Sequence, residues 1–245
     1  MIKKLLILLI SVVLTAYLFL AFSVLDKKPV GMICQGVDIN IMDSTNSAFI
    51  NSKDVVGLLK QKKLYPKGEK MENIYCKDME SILQQNPLIE RAECYKTPKN
   101  RITVTVYQRI PILRVMAHNG EDYFIDNKGK VMPNGHWPSQ LVIATGYINK
   151  NYARRYLTPF AKYLQEDDFW GDQIEQINVT ETGELEIVPR VGDHIVFLGK
   201  PFLIKEKLAR LKTFYEKGLN VVGWNKYSRI SLEFNNQVIC TKKEQ

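Results

Sequence analysis

The run from Leu5 to Leu25, LLILLISVVLTAYLFLAFSVL, constrains this chain more than any other stretch. Its 21 residues carry no charge. As a helix rising 1.5 Å per residue it would be about 32 Å long, against a hydrocarbon core of about 30 Å. A helix satisfies its own backbone groups, so the run reads as a single membrane span. No later segment is apolar enough to do the same. The expected plan is a tail at 1–4, a span at 5–25 and about 220 further residues on one side of the bilayer. Ala21-Phe22-Ser23 has the small-x-small form of a cleavage site. The apolar run is longer than the 7–15 residues of a signal peptide and continues past that point, which favours an uncleaved anchor. Lys3 and Lys4 precede the span and Lys27 and Lys28 follow it, so charge alone sets little orientation. A tail this short most simply stays cytoplasmic while the rest is exported.

Charge and chemistry narrow the function classes. The net charge of +8 comes from 34 basic and 26 acidic residues. The basic residues are scattered, and the densest run is Lys60-Gln61-Lys62-Lys63. That pattern fits a solvated surface near anionic lipid and argues against nucleic acid. None of His118, His136 and His194 lies three or four residues from another histidine, and the four cysteines contain no C-x-x-C pair. A metal site is therefore not expected. No G-x-S-x-G, P-loop or G-x-G-x-x-G motif occurs. Glu166-Asp167-Asp168 follows a helical pattern and reads as a solvated turn rather than an acid–base group. No catalytic residue and no cofactor is expected. Cys34, Cys76, Cys94 and Cys240 allow three full disulfide pairings in an exported domain. Cys94 and Cys240, inside strand-like runs, read equally well as small apolar residues.

Beyond a polar linker at Asp26–Gly31, Gly36–Ile41 alternates like a half-buried strand. A loop follows at Asp43–Ser47. Asn51-Ser52 offers an N-cap to a helix carrying Val55, Val56, Leu58 and Leu59. A second helix covers Asp78–Leu83 and stops before Pro87. Ala92–Lys96 and Arg101–Arg109 form a hairpin through Thr97-Pro98-Lys99-Asn100, with Ile102, Val104 and Val106 on one face. Pro111 ends that ladder or sets it at an edge. The order is strand, helix, helix, strand, strand.

That order, with Asn86-Pro87-Leu88-Ile89-Glu90-Arg91-Ala92-Glu93-Cys94, Pro98, Ile102–Val106 and Arg109-Ile110-Pro111, resembles a POTRA domain. Gln108 stands where that family often has Glu. A lone POTRA after one N-terminal span resembles the bacterial division family FtsQ (DivIB). The resemblance implies a POTRA domain at 32–112 and a second, β domain at 113–241, with a frayed tail at 242–245. The remaining chain is compatible. Tyr123–Asp126 turns at Asn127-Lys128-Gly129 into Val131–Pro133, and Asp126 here reads as hairpin rather than calcium loop. Leu141–Gly146 is similar to a family segment, its proline displaced to Pro138.

Tyr152, Tyr156, Phe160 and Leu164 make a helical stripe that Pro159 should kink or restart, with Thr158 as cap. Ile174–Val179 is a strand. Glu184–Val188 and His194–Leu198 form a hairpin. Ile204, Leu208, Leu211 and Tyr215 make a second stripe, expected to stop at Gly218. Ile230–Phe234 turns at Asn235-Asn236 and returns as Gln237–Thr241. The expected fold class is α+β: a transmembrane helix, a small β-α-α-β-β module, then a mixed α/β domain with a long antiparallel sheet.

A tethered domain without a reactive site most plausibly binds other polypeptides, and an exposed strand edge is the available device. The last strand has nothing after it to cover it, so it is the candidate edge. The family resemblance implies that its C-terminal hairpin receives a strand from the FtsB–FtsL coiled coil, and that Phe234 and Asn236 lie where the family's turn meets its partner. The candidate partner-binding residues are thus Phe234, Asn235, Asn236, Gln237, Val238, Ile239, Cys240 and Thr241. The resemblance further implies a non-enzymatic scaffold of the inner membrane and septum, exposed to the periplasm, with other division proteins meeting the POTRA domain. A POTRA-type assembly or secretion component is the alternative, although neither a barrel nor further POTRA modules are visible.

Overall fold

A computed structural model describes residues 2–25, 31–42, 49–135 and 141–243. The loop expected at Asp43–Ser47, the linker before Gly31, His136, Pro138 and the last two residues of the tail lie outside them. The chain divides into two compact units, one containing 50–107 with the segments before it, the other containing Phe49 and 108–243.

Helix α1 spans Ile2–Leu25. Its side chains are described from Leu9 to Leu20. At 1.5 Å per residue that part covers about 18 Å, short of the roughly 30 Å of a bilayer core. Among the described residues, no helix is long and apolar enough to cross a membrane. The side chains of the span expected over 5–25 are therefore only partly described. The described side chains of α1 are exposed on all sides, Phe19 at 77% and Tyr17 at 69%.

The first unit is a three-stranded sheet with two helices. Strand β1 (Gly36–Met42) pairs in parallel with β3 (Arg101–Gln108), and β2 (Ile89–Lys96) lies on the other side of β3. Helix α2 (Ser52–Gln61) starts at Asn51, whose side chain accepts from the amides of Lys53 and Asp54, while the Asp54 carboxylate accepts from the Asn51 amide. This reciprocal cap satisfies amides the first turn would otherwise leave open. Helix α3 (Cys76–Gln84) follows. Val55 and Leu59 from α2 and Met79 and Leu83 from α3 meet Ile102, Val104 and Val106 in one buried cluster. The period of four on each helix and two on the strand points these side chains at the same core. Each such burial is worth roughly 1.5–3 kcal/mol.

The second unit is built on a nine-stranded sheet. Its strands are β4 (Pro111–Ala117), β5 (Asp122–Asp126), β6 (Val131–Pro133), β7 (Val142–Gly146), β8 (Ile174–Val179), β9 (Leu185–Pro189), β10 (Ile195–Gly199), β11 (Tyr227–Ser231) and β12 (Ile239–Lys242). The order is β12-β11-β10-β9-β8-β7-β4-β5-β6. The sheet is mixed, not the long antiparallel sheet expected: β4 with β7, β7 with β8 and β10 with β11 are parallel. The cause for the last two is connectivity. A helical crossover returns the chain to the end where it started, so the next strand must run the same way.

The first crossover is α4 (Lys150–Tyr152), a π turn at Ala153–Leu157, α5 (Thr158–Glu166) and α6 (Asp168–Gln173). Thr158 is not a cap. Its amide donates to Ala153 O, five residues back, and its hydroxyl donates to the same oxygen at 3.2 Å. The wider turn absorbs Pro159, which has no amide to give, so the stripe continues without a break. The second crossover is α7 (Ile204–Phe214), a π turn at Tyr215–Leu219 and α8 (Asn220–Val222). Gly218 does not end it. The stop is Gly223, in the left-handed region at φ +93°, whose amide donates to Leu219 O. Leu157, Phe160 and Leu164 from the first crossover and Leu208, Leu211 and Tyr215 from the second share one core with Val115, Ile177, Ile187 and Val196.

Candidate functional site: the carboxy-terminal sheet edge

Strand β12 stands at the end of the nine-stranded order, paired among the described residues with β11 alone. The two are antiparallel, with Ser231 opposite Ile239, Ile230 opposite Cys240 and Arg229 opposite Thr241. An edge strand keeps one row of amides and carbonyls unpaired. The expected strand at Gln237–Thr241 is displaced: it begins at Ile239 and continues to Lys242. Lys242 is therefore strand rather than frayed tail. Lys243 is held too, its amide donating to Lys226 O at 3.2 Å and its ammonium pairing with Asp193 at 3.0 Å.

The late start has a local cause. Asn236 takes a left-handed backbone at φ +59°, which a strand cannot continue through. Arg210, on α7, then fixes the loop. Its guanidinium donates to Leu232 O at 3.0 Å and to Phe234 O at 2.7 Å. Leu232 is buried, and its amide donates to Phe197 O at 2.9 Å.

The eight residues singled out in the sequence divide into two sets. Val238 and Cys240 face inward and pack on the core. Phe234, Asn235, Asn236, Gln237, Ile239 and Thr241 are exposed, Phe234 at 54% and Ile239 at 47%. The alternation from 237 to 241 is the period of two that a strand imposes. A groove of about 580 Å³ opens beside the loop, lined by Ala209, Arg210, Phe214 and Gly218 on one side and Asn236 and Val238 on the other. Its α7 wall was absent from the sequence reading. The signal was weak, because Arg210, Phe214 and Gly218 lie on the flank of the apolar stripe rather than in it.

Two matches to family models cover most of the described chain. Residues 110–241 match FtsQ/DivIB, C-terminal related, and residues 32–107 match a POTRA-like domain. The chain belongs to the FtsQ/DivIB family. No curated protein matches it significantly. FtsQ/DivIB proteins are division-related, membrane-associated scaffolds that work through contacts with other division proteins.

The family's Arg-Ile-Pro segment has a structural role in this chain. Arg109 and Asp126, both buried, form an ion pair. Asp126 also accepts the amides of Lys128 at 2.9 Å and Lys130 at 2.7 Å, which closes the β5–β6 turn. Of the three carboxylates at 166–168, Asp167 has a structural role, while Glu166 and Asp168 are exposed. Asp167 caps α6 through the amides of Phe169 and Trp170, and the Trp170 amide is the main reason its carboxyl is held below the usual carboxylate range. His194 is buried against Tyr215, its Nε2 2.8 Å from the phenol oxygen, and burial pushes its pKa down. His118 stacks on Tyr147. Among the described residues no group of His, Cys, Asp and Glu is arranged to hold a metal ion.

Proposed function

We propose that this FtsQ/DivIB-family chain is a bitopic scaffold of the bacterial division machinery that captures a partner strand on β12. The observation that carries this is the outer edge of β12, which has no strand partner beyond β11 among the described residues, with Ile239 and Thr241 exposed along it and Phe234 beside it. A partner segment added there would gain main-chain hydrogen bonds, and alternate side chains would set specificity. The groove between α7 and the 232–238 loop offers a place for apolar residues flanking that segment. In this reading the partner is the FtsB–FtsL type of coiled coil, and further division proteins meet the POTRA domain at 32–112; membership of a family that works through contacts between division proteins supports it.

Residues 5–25 form the membrane span in this reading, with 1–4 cytoplasmic and the remainder periplasmic at the septum. Support comes from the uncharged run and from the apolar exposure of α1 on all sides, which water would disfavour. Confinement to one membrane face raises the effective concentration of weakly binding partners without any new contact.

The test is co-purification of the full chain with a tagged FtsB–FtsL-type pair from cells. V238P/I239P removes strand geometry, and Ile239→Glu changes the outward face alone. Both are expected to lose the pair while retaining the wild-type circular dichroism spectrum. Retention of the pair by both variants would falsify strand capture at this edge. A fluorescent fusion is expected at midcell; a uniform envelope signal would favour the assembly or secretion reading.

A further inference from the structure

Helix α3 lies along strand β2 with residues 76, 80 and 84 on one face, one helical step of four apart. Each of the three meets β2. Gln84 Nε2 donates to Ala92 O at 3.2 Å, and Glu80 Oε1 accepts the Cys94 amide at 2.7 Å. Cys76 stands one turn before Glu80 on that face, and it is the thiol neighbour whose ionisation is tied to that of Cys94. Cys94 Sγ also lies 3.8 Å from Met79 Sδ, within the core of the first unit. Both cysteines are free, and both are partly exposed.

We propose that Cys76 and Cys94 close to a disulfide that clips α3 onto β2. Glu80 and Gln84 already set the spacing between helix and strand. With the Cys94 amide on Glu80 and its sulfur on Met79, Cys94 is held against the turn of α3 next to Cys76, and the two sulfurs close to a bond of about 2.05 Å. The other two thiols are placed differently. Cys34 is buried and donates to Gly36 O at 3.4 Å, and Cys240 lies in the second unit. Of the three full pairings the sequence permits, only one contains Cys76–Cys94. Its complement, Cys34–Cys240, is not proposed.

The pair is also electronically prepared. The neighbouring Cys94 thiol brings Cys76 down to about 7, with the charge of Lys96 helping against burial and Glu80, while the Cys76 thiol and burial push Cys94 up. Cys76, at the first position of α3, is then the thiolate nucleophile. It attacks a sulfur of a disulfide-bearing thiol oxidant, forming a mixed disulfide and releasing one oxidant thiolate. Cys94 loses its proton and attacks the Cys76 sulfur, and the second oxidant thiolate leaves. The protein loses two protons and two electrons, and the oxidant ends as two thiols. Oxidation in the cell rests on the periplasmic placement proposed above; the choice of pair does not.

The test uses the full chain in detergent, reduced and then exposed to oxidised glutathione. Remaining thiols are blocked with N-ethylmaleimide before digestion and mass spectrometry. The expected product joins the Cys76 and Cys94 peptides with two hydrogens lost, while Cys34 and Cys240 carry the label. The first unit is expected to melt roughly 10 °C higher when oxidised, a shift that C76S and C94S each abolish. Full labelling of Cys76 and Cys94 after oxidant, or a link from either to Cys34 or Cys240, overturns the proposal. Acid-quenched labelling in cells separates the two readings. A pair that closes in the tube and is oxidised in cells supports both; one that closes in the tube but stays reduced in cells supports the pairing and overturns the periplasmic placement.

Discussion

Replacing Arg109 by Met tests how the second unit is held together at its first strand. Arg109 is 4% and Asp126 1% exposed, so neither charge is shared with solvent. Removing one partner strands the other as a buried charge, which typically costs 3–5 kcal/mol. Asp126 keeps two amide donors, from Lys128 and Lys130, which offset part of that. The lower end, about 3 kcal/mol, is therefore expected. For a unit of this size that lowers the melting temperature by about 10 °C. Urea unfolding followed by tryptophan fluorescence reads it directly, because Trp137, Trp170 and Trp224 all lie after residue 108. R109M should move the urea midpoint without changing the slope. R109M/D126N removes the stranded charge but keeps an acceptor for the turn, and should recover at least half of the loss. A single-variant cost under about 1 kcal/mol, or a double variant no better than the sum of its parts, would refute the reasoning.

Two further outcomes follow from tightly placed groups in the second unit. Gly146 sits at φ +99°, where an added Cβ would fall 2.1 Å from Val179 O, so Gly146→Ala should destabilise by about 3 kcal/mol or more; an unchanged melting temperature would contradict this. Burial lowers the pKa of folded His194 from 6.5, and its Nδ1 has no hydrogen-bond partner among the described residues. The unfolded chain therefore takes up a proton first. Stability should be full above about pH 6.5 and fall below it, by at most about 1.4 kcal/mol per pH unit from this group. The slope should shrink in His194→Phe; an identical slope would assign the acid sensitivity elsewhere.

Local pattern made some elements readable. The β2–β3 hairpin was legible from its turn and from Ile102, Val104 and Val106 on one face, and Asn51 marks the start of α2. The β9–β10 hairpin was legible within a residue or so. Strand β4 was not. Pro111 opens it, and Ile112, Leu113 and Val115 are all buried, so it lacks the alternation of a one-sided strand. An interior strand with a parallel neighbour reads as an apolar run instead. The parallel pairings were equally hidden, since they follow from crossovers and not from any local residue. At the carboxy-terminal edge, the terminal hairpin was legible from its alternation and turn residues, although its second strand starts later than the pattern suggested. The grip of Arg210 on two carbonyls of the 232–238 loop was not, because it joins residues more than twenty positions apart.

The most direct measurement is amide hydrogen exchange of the full chain with and without the extracytoplasmic part of an FtsB–FtsL-type pair. Strand capture predicts slower exchange at Ile239–Lys242 in the complex, with the amides of β1–β3 unchanged. A complex that forms while Ile239–Lys242 exchange at the free rate, with protection arising elsewhere, would contradict the account.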